Sequence, residues 1–126
     1  MLFITFFSCK NEAKEETKIS ENTVQTDIQL IQFHTEHRCE TCNNIEKLSK
    51  ETIKGNEAIS FVLYNVDDEK NAKVAEQFEA TGTSLYLYNS KTKATKDLTE
   101  MAFMYAKNEG DKFKTELQKE ISEFKY

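Results

Sequence analysis

Two cysteines separated by two residues, Cys39 and Cys42, lie between an apolar run of strand length and an amphipathic run of helical period. The apolar run is Ile28 to Phe33, and the amphipathic run is Ile45 to Ile53. A strand that turns into a helix here places the first sulfur at a helix N-terminus, where unpaired N–H groups and the helix dipole stabilise a thiolate. Because the thiolate attacks disulfides, the spacing indicates chemistry at this pair rather than packing alone.

The length of the chain allows one domain, and its composition allows a hydrophobic core. The 126 residues are 38% hydrophobic and include nine Phe and five Tyr, which argues against disorder throughout. The net charge of −5 is spread over interspersed Lys and Glu, without the basic stripe that nucleic-acid binding requires. We therefore predict a monomer that folds alone and has no nucleic-acid partner.

The three glycines mark the ends of periodic segments. Gly55, Gly82 and Gly110 each fall where such a segment stops, as is typical of helix C-caps and turns, and the chain has no proline. Their spacing does not match the glycine patterns that cradle a nucleotide phosphate. We therefore predict no cofactor.

Strand-like and helix-like segments alternate along the first part of the chain. After the cysteine-bearing segment, Ala58 to Val66 is rich in branched and aromatic residues and predicts an interior strand. Small and apolar residues at helical spacing from Ala72 to Phe78 then predict a short helix leading to Gly82. The order strand, helix, strand, helix implies parallel pairing of the two strands through a right-handed crossover.

The second part of the chain predicts a strand pair followed by helices. Ser84 to Asn89 predicts a strand, and Thr95 to Leu98 predicts an edge strand that pairs back on it as a hairpin. Thr99 to Lys107 has a helical pattern. A stronger amphipathic helix follows, with apolar residues at Phe113, Leu117, Ile121 and Phe124. The Phe and Met residues of these helices are interpreted as core rather than as a cofactor site.

This order of elements resembles that of the thioredoxin superfamily: strand, Cys-x-x-Cys, helix, strand, helix, strand pair and C-terminal helix. The segment from Asn65 to Asn71 is also similar to the Val-Asp-x-Asp segment that follows the central strand in that family. The resemblance covers Val24 to Phe124. It implies an α/β, thioredoxin-like fold with a central mixed sheet of about four strands flanked by helices, in a domain spanning residues 23–126.

Two departures from the family fall at the expected site. Thioredoxins carry Trp-Cys-Gly-Pro-Cys, whereas this chain has His37 and Arg38 before the first cysteine and Glu-Thr between the two. Thioredoxins also carry a cis-proline before the last strand pair, and the matching position here is Thr83. Because a cis bond before a residue other than proline costs about 2.5 to 4 kcal/mol, we expect a trans bond and a changed substrate groove.

The resemblance implies thiol–disulfide exchange with a protein or small thiol or disulfide as substrate, and with an electron donor that the sequence does not identify. Cys39 is expected to be the exposed attacking thiolate, and Cys42, one turn into the helix, to resolve the mixed disulfide. The charge of Arg38, or of protonated His37, would favour the thiolate. The alternative is that both are solvated loop residues. Glu40 would oppose the thiolate if it pointed at Cys39.

Two imidazoles and two thiolates within nine residues raise the alternative of a metal site. His34, His37, Cys39 and Cys42 form a donor set that suits Zn(II) or Cu(I). The usual zinc patterns place ligands on two separated knuckles and this chain has one, so we prefer thiol chemistry. A third possibility is a thioredoxin-like binding module in which the cysteine pair is idle.

The first nine residues resemble the end of a bacterial lipoprotein signal peptide, with an apolar stretch followed by Ser8 and Cys9. Cys9 would become the lipidated first residue of the mature chain. The charged residues that follow are typical of a flexible tether, so residues 1–22 are interpreted as signal remnant and tether. The expected location is the bacterial cell envelope, on a lipid anchor in the membrane. The alternative is a cytoplasmic protein with an unpaired Cys9.

Overall fold

A computed structural model of the protein describes residues 27–124, which form a mixed β-sheet with helices on both faces. The strands are β1 (Ile28–His34), β2 (Ile59–Asn65), β3 (Ser84–Asn89) and β4 (Thr95–Asp97). The α-helices are α1 (Glu40–Ile53), α2 (Ala72–Gln77), α3 (Thr99–Tyr105) and α4 (Gly110–Phe124), and a 3-10 turn at Glu69–Asn71 leads into α2. Residues 1–22, with Cys9, lie outside the described residues. No helix within the described range is long and apolar enough to cross a membrane.

The sheet has the strand order β2-β1-β3-β4. β1 pairs with β2 in parallel and with β3 antiparallel, and β3 pairs with β4 as a hairpin. Ile31 of β1, for example, lies opposite Val62 on one side and Tyr86 on the other. The predicted α/β architecture, a thioredoxin-like mixed sheet of four strands flanked by helices, is confirmed, together with the parallel pairing of the first two strands.

One strand differs from its prediction. The sequence predicts an interior strand from Ala58 to Val66, whereas β2 is an edge strand within residues 27–124 and is mostly half-buried. The interior place belongs to β1, because β3 pairs with the other edge of β1. Branched and aromatic side chains of β2 pack on both faces of the sheet, and this produces the sequence pattern of an interior strand.

Alternation of side chains along the strands divides the core into two parts. We call one the helical face, because β1, β2 and β3 pack there against α1, α3 and α4. Its buried members are Ile28, Leu30, Ile45, Ile53, Ile59, Leu85, Leu87, Leu98, Ala102, Ala106, Phe113, Leu117 and Ile121. We call the other the aromatic face, which lies beneath α2. Its buried members are Ile31, Phe33, Ala75, Phe78, Tyr86 and Tyr88.

Two glycines shape the helices of the helical face. α1 ends at Ile53, and Gly55 follows with φ of 84°, a left-handed conformation that favours glycine. Gly110 begins α4, although the sequence predicts the end of a segment there. A side chain on Gly110 would lie 3.2 Å from the Leu48 side chain of α1. The missing side chain therefore lets the start of α4 approach α1 closely.

Candidate functional site

The candidate site is built where β1 ends and α1 begins. Residues 35–39, here called the cysteine loop, connect the two elements. Cys39 is the N-cap of α1, with an extended backbone, and its carbonyl accepts a hydrogen bond from the Asn43 N–H at 3.1 Å. Its side chain is exposed and makes no cap hydrogen bond. The Cys39 sulfur is therefore accessible, at a helix end that favours negative charge.

Hydrogen bonds to the end of β2 hold the cysteine loop. The Asp67 carboxylate accepts a hydrogen bond from the Glu36 backbone N–H at 2.8 Å. The His34 carbonyl, just before the loop, accepts one from the Val66 N–H, also at 2.8 Å. Asp67 belongs to the segment that resembles the Val-Asp-x-Asp segment of thioredoxins. In this structure that segment positions the loop that carries the first cysteine.

Cys42 lies one turn into α1 and is only 1% exposed. Its sulfur lies 3.1 Å from Thr83 Oγ1. Gln32 of β1, which is fully buried, donates from Nε2 to the Cys42 carbonyl at 3.0 Å, and the same nitrogen lies 3.9 Å from the sulfur. Both Cys39 and Cys42 are free thiols in this structure. The fold thus brings Thr83, more than forty positions away in sequence, to the buried cysteine.

Thr83 precedes β3 and is joined to Gly82 by a trans peptide bond, as the sequence predicts. A cavity of about 210 Å³ adjoins it, lined by residues 79–84 with Tyr86, Asp97 and Thr99. A larger cavity of about 660 Å³ lies at the C-terminal end of α1, next to α4. With a rise of about 1.5 Å per helical residue, that end lies roughly 16 Å from Cys42. The smaller cavity is therefore connected to the buried sulfur through Thr83, which lines the cavity and lies 3.1 Å from Cys42 Sγ.

Arg38 begins a chain of ion pairs along α1. Its guanidinium donates to Glu46 Oε1 at 2.6 Å, and Lys50 Nζ donates to Glu46 Oε2 at 2.7 Å. Burial lowers the pKa of Arg38, but the hydrogen bond and charge of Glu46, with a smaller contribution from Cys42, outweigh burial and raise that pKa. The hydrogen bond from Lys50 lowers the pKa of Glu46; burial opposes this, and Arg38 lowers the pKa further.

The charge of Arg38 also reaches the second cysteine. The sequence predicts a charge beside Cys39, which stays a prediction, and in the structure the charge of Arg38 acts on Cys42 as well. Cys42 and Glu46 are four residues apart, so their side chains leave the helix on the same side. A guanidinium held by Glu46 therefore lies on the side of α1 that carries the buried cysteine.

The two histidines do not join the cysteines in a ligand set. His34 Nδ1 donates to the Thr35 carbonyl at 2.7 Å, which requires the proton on Nδ1, and His37 is exposed. Across residues 27–124, no three or more His, Cys, Asp and Glu side chains are grouped so that they could hold a metal ion. The alternative Zn(II) or Cu(I) site of His34, His37, Cys39 and Cys42 is therefore not supported.

Sequence reasoning did not identify Gln32 as a neighbour of Cys42, nor Glu46 and Lys50 as members of the ion-pair chain that begins at Arg38. A signal was present for each. Gln32 is a polar residue inside a run that the apolar pattern assigns to a buried strand, and a buried polar side chain is more informative than a buried apolar one. Glu46 and Lys50 have the i,i+4 spacing of a helical ion pair.

Comparisons with known proteins find structural likenesses, and two of the similar structures follow. No family model matches the chain, and no curated protein matches it. A structure titled "Structure of a malarial protein" is 20% identical over 64% of this chain and 94% of that chain, with a TM-score of 0.44. Thioredoxin f2 of Chlamydomonas reinhardtii is 20% identical over 64% of this chain and 75% of that chain, with a TM-score of 0.46. The chemistry of the site must therefore be inferred from its own geometry.

Proposed function

We propose that this protein is a thiol–disulfide oxidoreductase that exchanges disulfides through Cys39 and Cys42. One observation carries the proposal: an exposed cysteine at the N-cap of α1 is followed one turn later by a buried cysteine in the same helix. The exposed sulfur is accessible to a substrate, and the buried sulfur is shielded from solvent. A pure binding module would have no use for this difference between the two sulfurs.

The exchange proceeds in two displacements. The Cys39 thiolate attacks a substrate disulfide, a mixed disulfide forms, and one substrate sulfur leaves as a thiolate. Cys42, after losing its proton to solvent, attacks the Cys39 sulfur and releases the second substrate sulfur. The substrate gains two electrons, and the Cys39–Cys42 pair loses them as its disulfide forms. The reverse order oxidises a substrate dithiol.

We further propose that the protein works in the bacterial cell envelope, held to a membrane by a lipid on Cys9. The apolar stretch before Cys9 and the charged stretch after it support this proposal. Lipidation would leave Cys39 and Cys42 as an even pair in an oxidising compartment, where disulfides form. The substrate would be a protein or a small thiol or disulfide. Partnership with nucleic acid is not expected, and the monomeric state stays a prediction.

Two serine variants test the roles of the cysteines. We expect Cys39→Ser to reduce the rate of exchange with a synthetic peptide disulfide to that of buffer, because the attacking sulfur is missing. We expect Cys42→Ser to accumulate a mixed disulfide between Cys39 and the peptide, because nothing resolves it. Mass spectrometry of the intact protein measures both. Each variant also carries Cys9→Ser, and Cys9→Ser alone is the control.

Exchange that persists in Cys39→Ser would contradict the proposal, as would a control chain in which Cys39 and Cys42 never form a disulfide. The anchor is tested separately by the mass of the N-terminal peptide of the unmodified sequence after expression in bacteria. A peptide that contains Cys9 without an added lipid would contradict the anchor and leave the exchange reaction unaffected.

A further inference from the structure

Three side chains that can donate hydrogen bonds surround the buried sulfur of Cys42. Thr83 Oγ1 lies 3.1 Å from it, and Gln32 Nε2 lies 3.9 Å from it. The charge of Arg38, whose guanidinium is held by Glu46, also acts on the Cys42 side chain. We call Gln32, Arg38 and Thr83 the Cys42 cradle. Its members come from β1, from the cysteine loop and from the residue before β3, so only the folded chain assembles it.

Gln32 is an unusual member because part of its amide has no partner. The side chain is fully buried and its Nε2 is fixed by the Cys42 carbonyl, yet among the described residues its Oε1 accepts no hydrogen bond. A buried polar atom without a partner is unfavourable, and apolar residues would suit this strand position better. The amide is therefore a signal of function, and its donor end is the end that faces Cys42.

The cradle distinguishes the two oxidation states of the cysteine pair. A thiolate carries a full charge and accepts strong hydrogen bonds, whereas a disulfide sulfur is uncharged and accepts weakly. The positive charge of Arg38 acts in the same direction. If Thr83 instead accepts from a protonated Cys42, that hydrogen bond also exists in the reduced state and is lost in the disulfide. Each contact therefore stabilises the reduced pair more than the oxidised pair.

We propose that the Cys42 cradle biases the pair towards the reduced state, so that the protein oxidises substrate dithiols. This inference rests on the proposed exchange function. A substrate thiolate attacks Cys39 Sγ of the disulfide form, the Cys39–Cys42 bond breaks, and its electron pair stays on Cys42 Sγ inside the cradle. The second substrate thiolate then attacks the substrate sulfur of the mixed disulfide, and Cys39 leaves as a thiolate. The substrate dithiol loses two electrons to the pair, and its two protons pass to solvent.

The equilibrium with glutathione measures this bias. The full chain carrying Cys9→Ser is incubated in mixtures of reduced and oxidised glutathione, and the cysteines protected from alkylation are counted by mass. We expect Thr83→Val, which keeps the shape and removes the hydroxyl, to lower the equilibrium constant for reduction of the Cys39–Cys42 disulfide about tenfold, the effect of one hydrogen bond to a charged group. Thr83→Ser, which keeps the hydroxyl, should have the same equilibrium constant as the parent chain.

A matched control and a second variant complete the test. Thr52→Val removes a hydroxyl that donates to the Leu48 carbonyl at 2.7 Å, at the far end of α1, and should leave the constant unchanged. Gln32→Leu removes the buried donor and should lower the constant about fivefold. Constants that stay equal or rise in both Thr83→Val and Gln32→Leu would overturn the inference.

The direction of exchange is read from rates with one peptide in its dithiol and disulfide forms. The disulfide form of the protein should oxidise the dithiol peptide faster than the reduced protein reduces the disulfide peptide. The reverse order would overturn the assigned direction while exchange itself stands. If the parent chain carrying Cys9→Ser forms no intramolecular disulfide at all, the proposed function fails instead.

Discussion

The two faces of the sheet differ in what covers them and in what they carry. Three helices cover the helical face, and most of its buried side chains are aliphatic. The aromatic face is covered by α2, a helix of 6 residues, and depends on ring contacts. There the ring of Phe33 lies 5.6 Å from that of Tyr64, 5.7 Å from that of Phe78 and 5.9 Å from that of Tyr86, measured between centroids.

The candidate site lies on the face that three helices cover. Gln32 alternates with Ile31 and Phe33 along β1, so its side chain enters the helical face, where α1 carries Cys42. Hydrogen bonds and charges act more strongly in such surroundings than in water, because the local dielectric is lower. The aromatic face lies on the opposite side of the sheet from Gln32 and Cys42. The comparison teaches that this fold places the buried sulfur of Cys42 on the side of the sheet that three helices cover.

The largest expected effect compares how much one buried phenylalanine on each face of the sheet contributes to stability. Phe113→Ala should lower the free energy of unfolding by about 4–5 kcal/mol, because Phe113 is fully buried among helices and sheet. Phe78→Ala should cost about 3 kcal/mol, because Phe78 retains 7% exposure at the end of a short helix and the neighbouring rings keep their own contacts. Urea denaturation of the three proteins measures both changes.

Phe103→Ala is the matched control for these two variants. Phe103 is 45% exposed on α3, so its removal should change stability by less than about 0.5 kcal/mol. A loss of unfolding free energy for Phe78→Ala equal to or above that for Phe113→Ala would contradict the comparison. It would show that the ring contacts stabilise the aromatic face as much as three helices stabilise the helical face.

A smaller effect tests how the aromatic face responds to pH. Burial raises the pKa of Tyr86, and the charge of Asp97 raises it further. Its hydroxyl donates to the Phe78 carbonyl at 3.1 Å, so Tyr86→Phe should cost about 1 kcal/mol at pH 7. Because the folded-state pKa is raised, the stabilisation from Tyr86 is complete below about pH 10 and is lost as the pH rises through that raised pKa.

Urea denaturation at pH 7 and at several pH values above 10 measures this loss. The difference in unfolding free energy between the native sequence and Tyr86→Phe, here called the gap, should become smaller as the pH rises. Tyr105→Phe, on the opposite side of the sheet, serves as the control for alkaline destabilisation of the whole protein. A gap that stays constant above pH 10 would mean that Tyr86 ionises as easily in the folded state as in the unfolded state, and a gap that widens would mean that it ionises more easily in the folded state.

The smallest effect concerns the ion pairs that Glu46 makes with Arg38 and Lys50. Glu46→Gln should lower stability by about 0.5–1 kcal/mol at pH 7, because a partly exposed carboxylate loses two cationic partners. Because the pKa of Glu46 is lowered in the folded state, its contribution is present above about pH 4.5 and is lost as the pH falls through the lowered pKa. Thermal unfolding between pH 7 and pH 3 measures the difference.

Glu123→Gln, at an exposed position of α4, is the control for this variant and should change stability little at any pH. If the stability of Glu46→Gln matches that of this control at pH 7, the ion pairs of Glu46 do not contribute measurably to the stability of the fold. In the same variant, Arg38 loses the carboxylate that holds its guanidinium.

Segments with strong periodicity were predicted well. The strand at Ser84–Asn89 has the predicted bounds, and the apolar residues of α4 form its buried side. The cysteine spacing predicted an exposed and a buried sulfur at a helix start. These features are local, because strand and helix periods and helix ends depend on residues a few positions apart. The edge position of β2 is different, since it depends on which side of β1 the later strand β3 pairs with.

The order of elements and the redox candidate pair could be read along the chain, because both depend on short-range patterns. The ion pair of Arg38 could not, because its partner Glu46 lies eight residues further along the chain. Nor could the contact between Thr83 and Cys42 be read from the sequence, which gave only the resemblance of Thr83 to the proline position of thioredoxins. Gln32, Arg38 and Thr83 meet one sulfur only after the sheet pairs and α1 packs on it, since long-range contacts have no signature in local sequence.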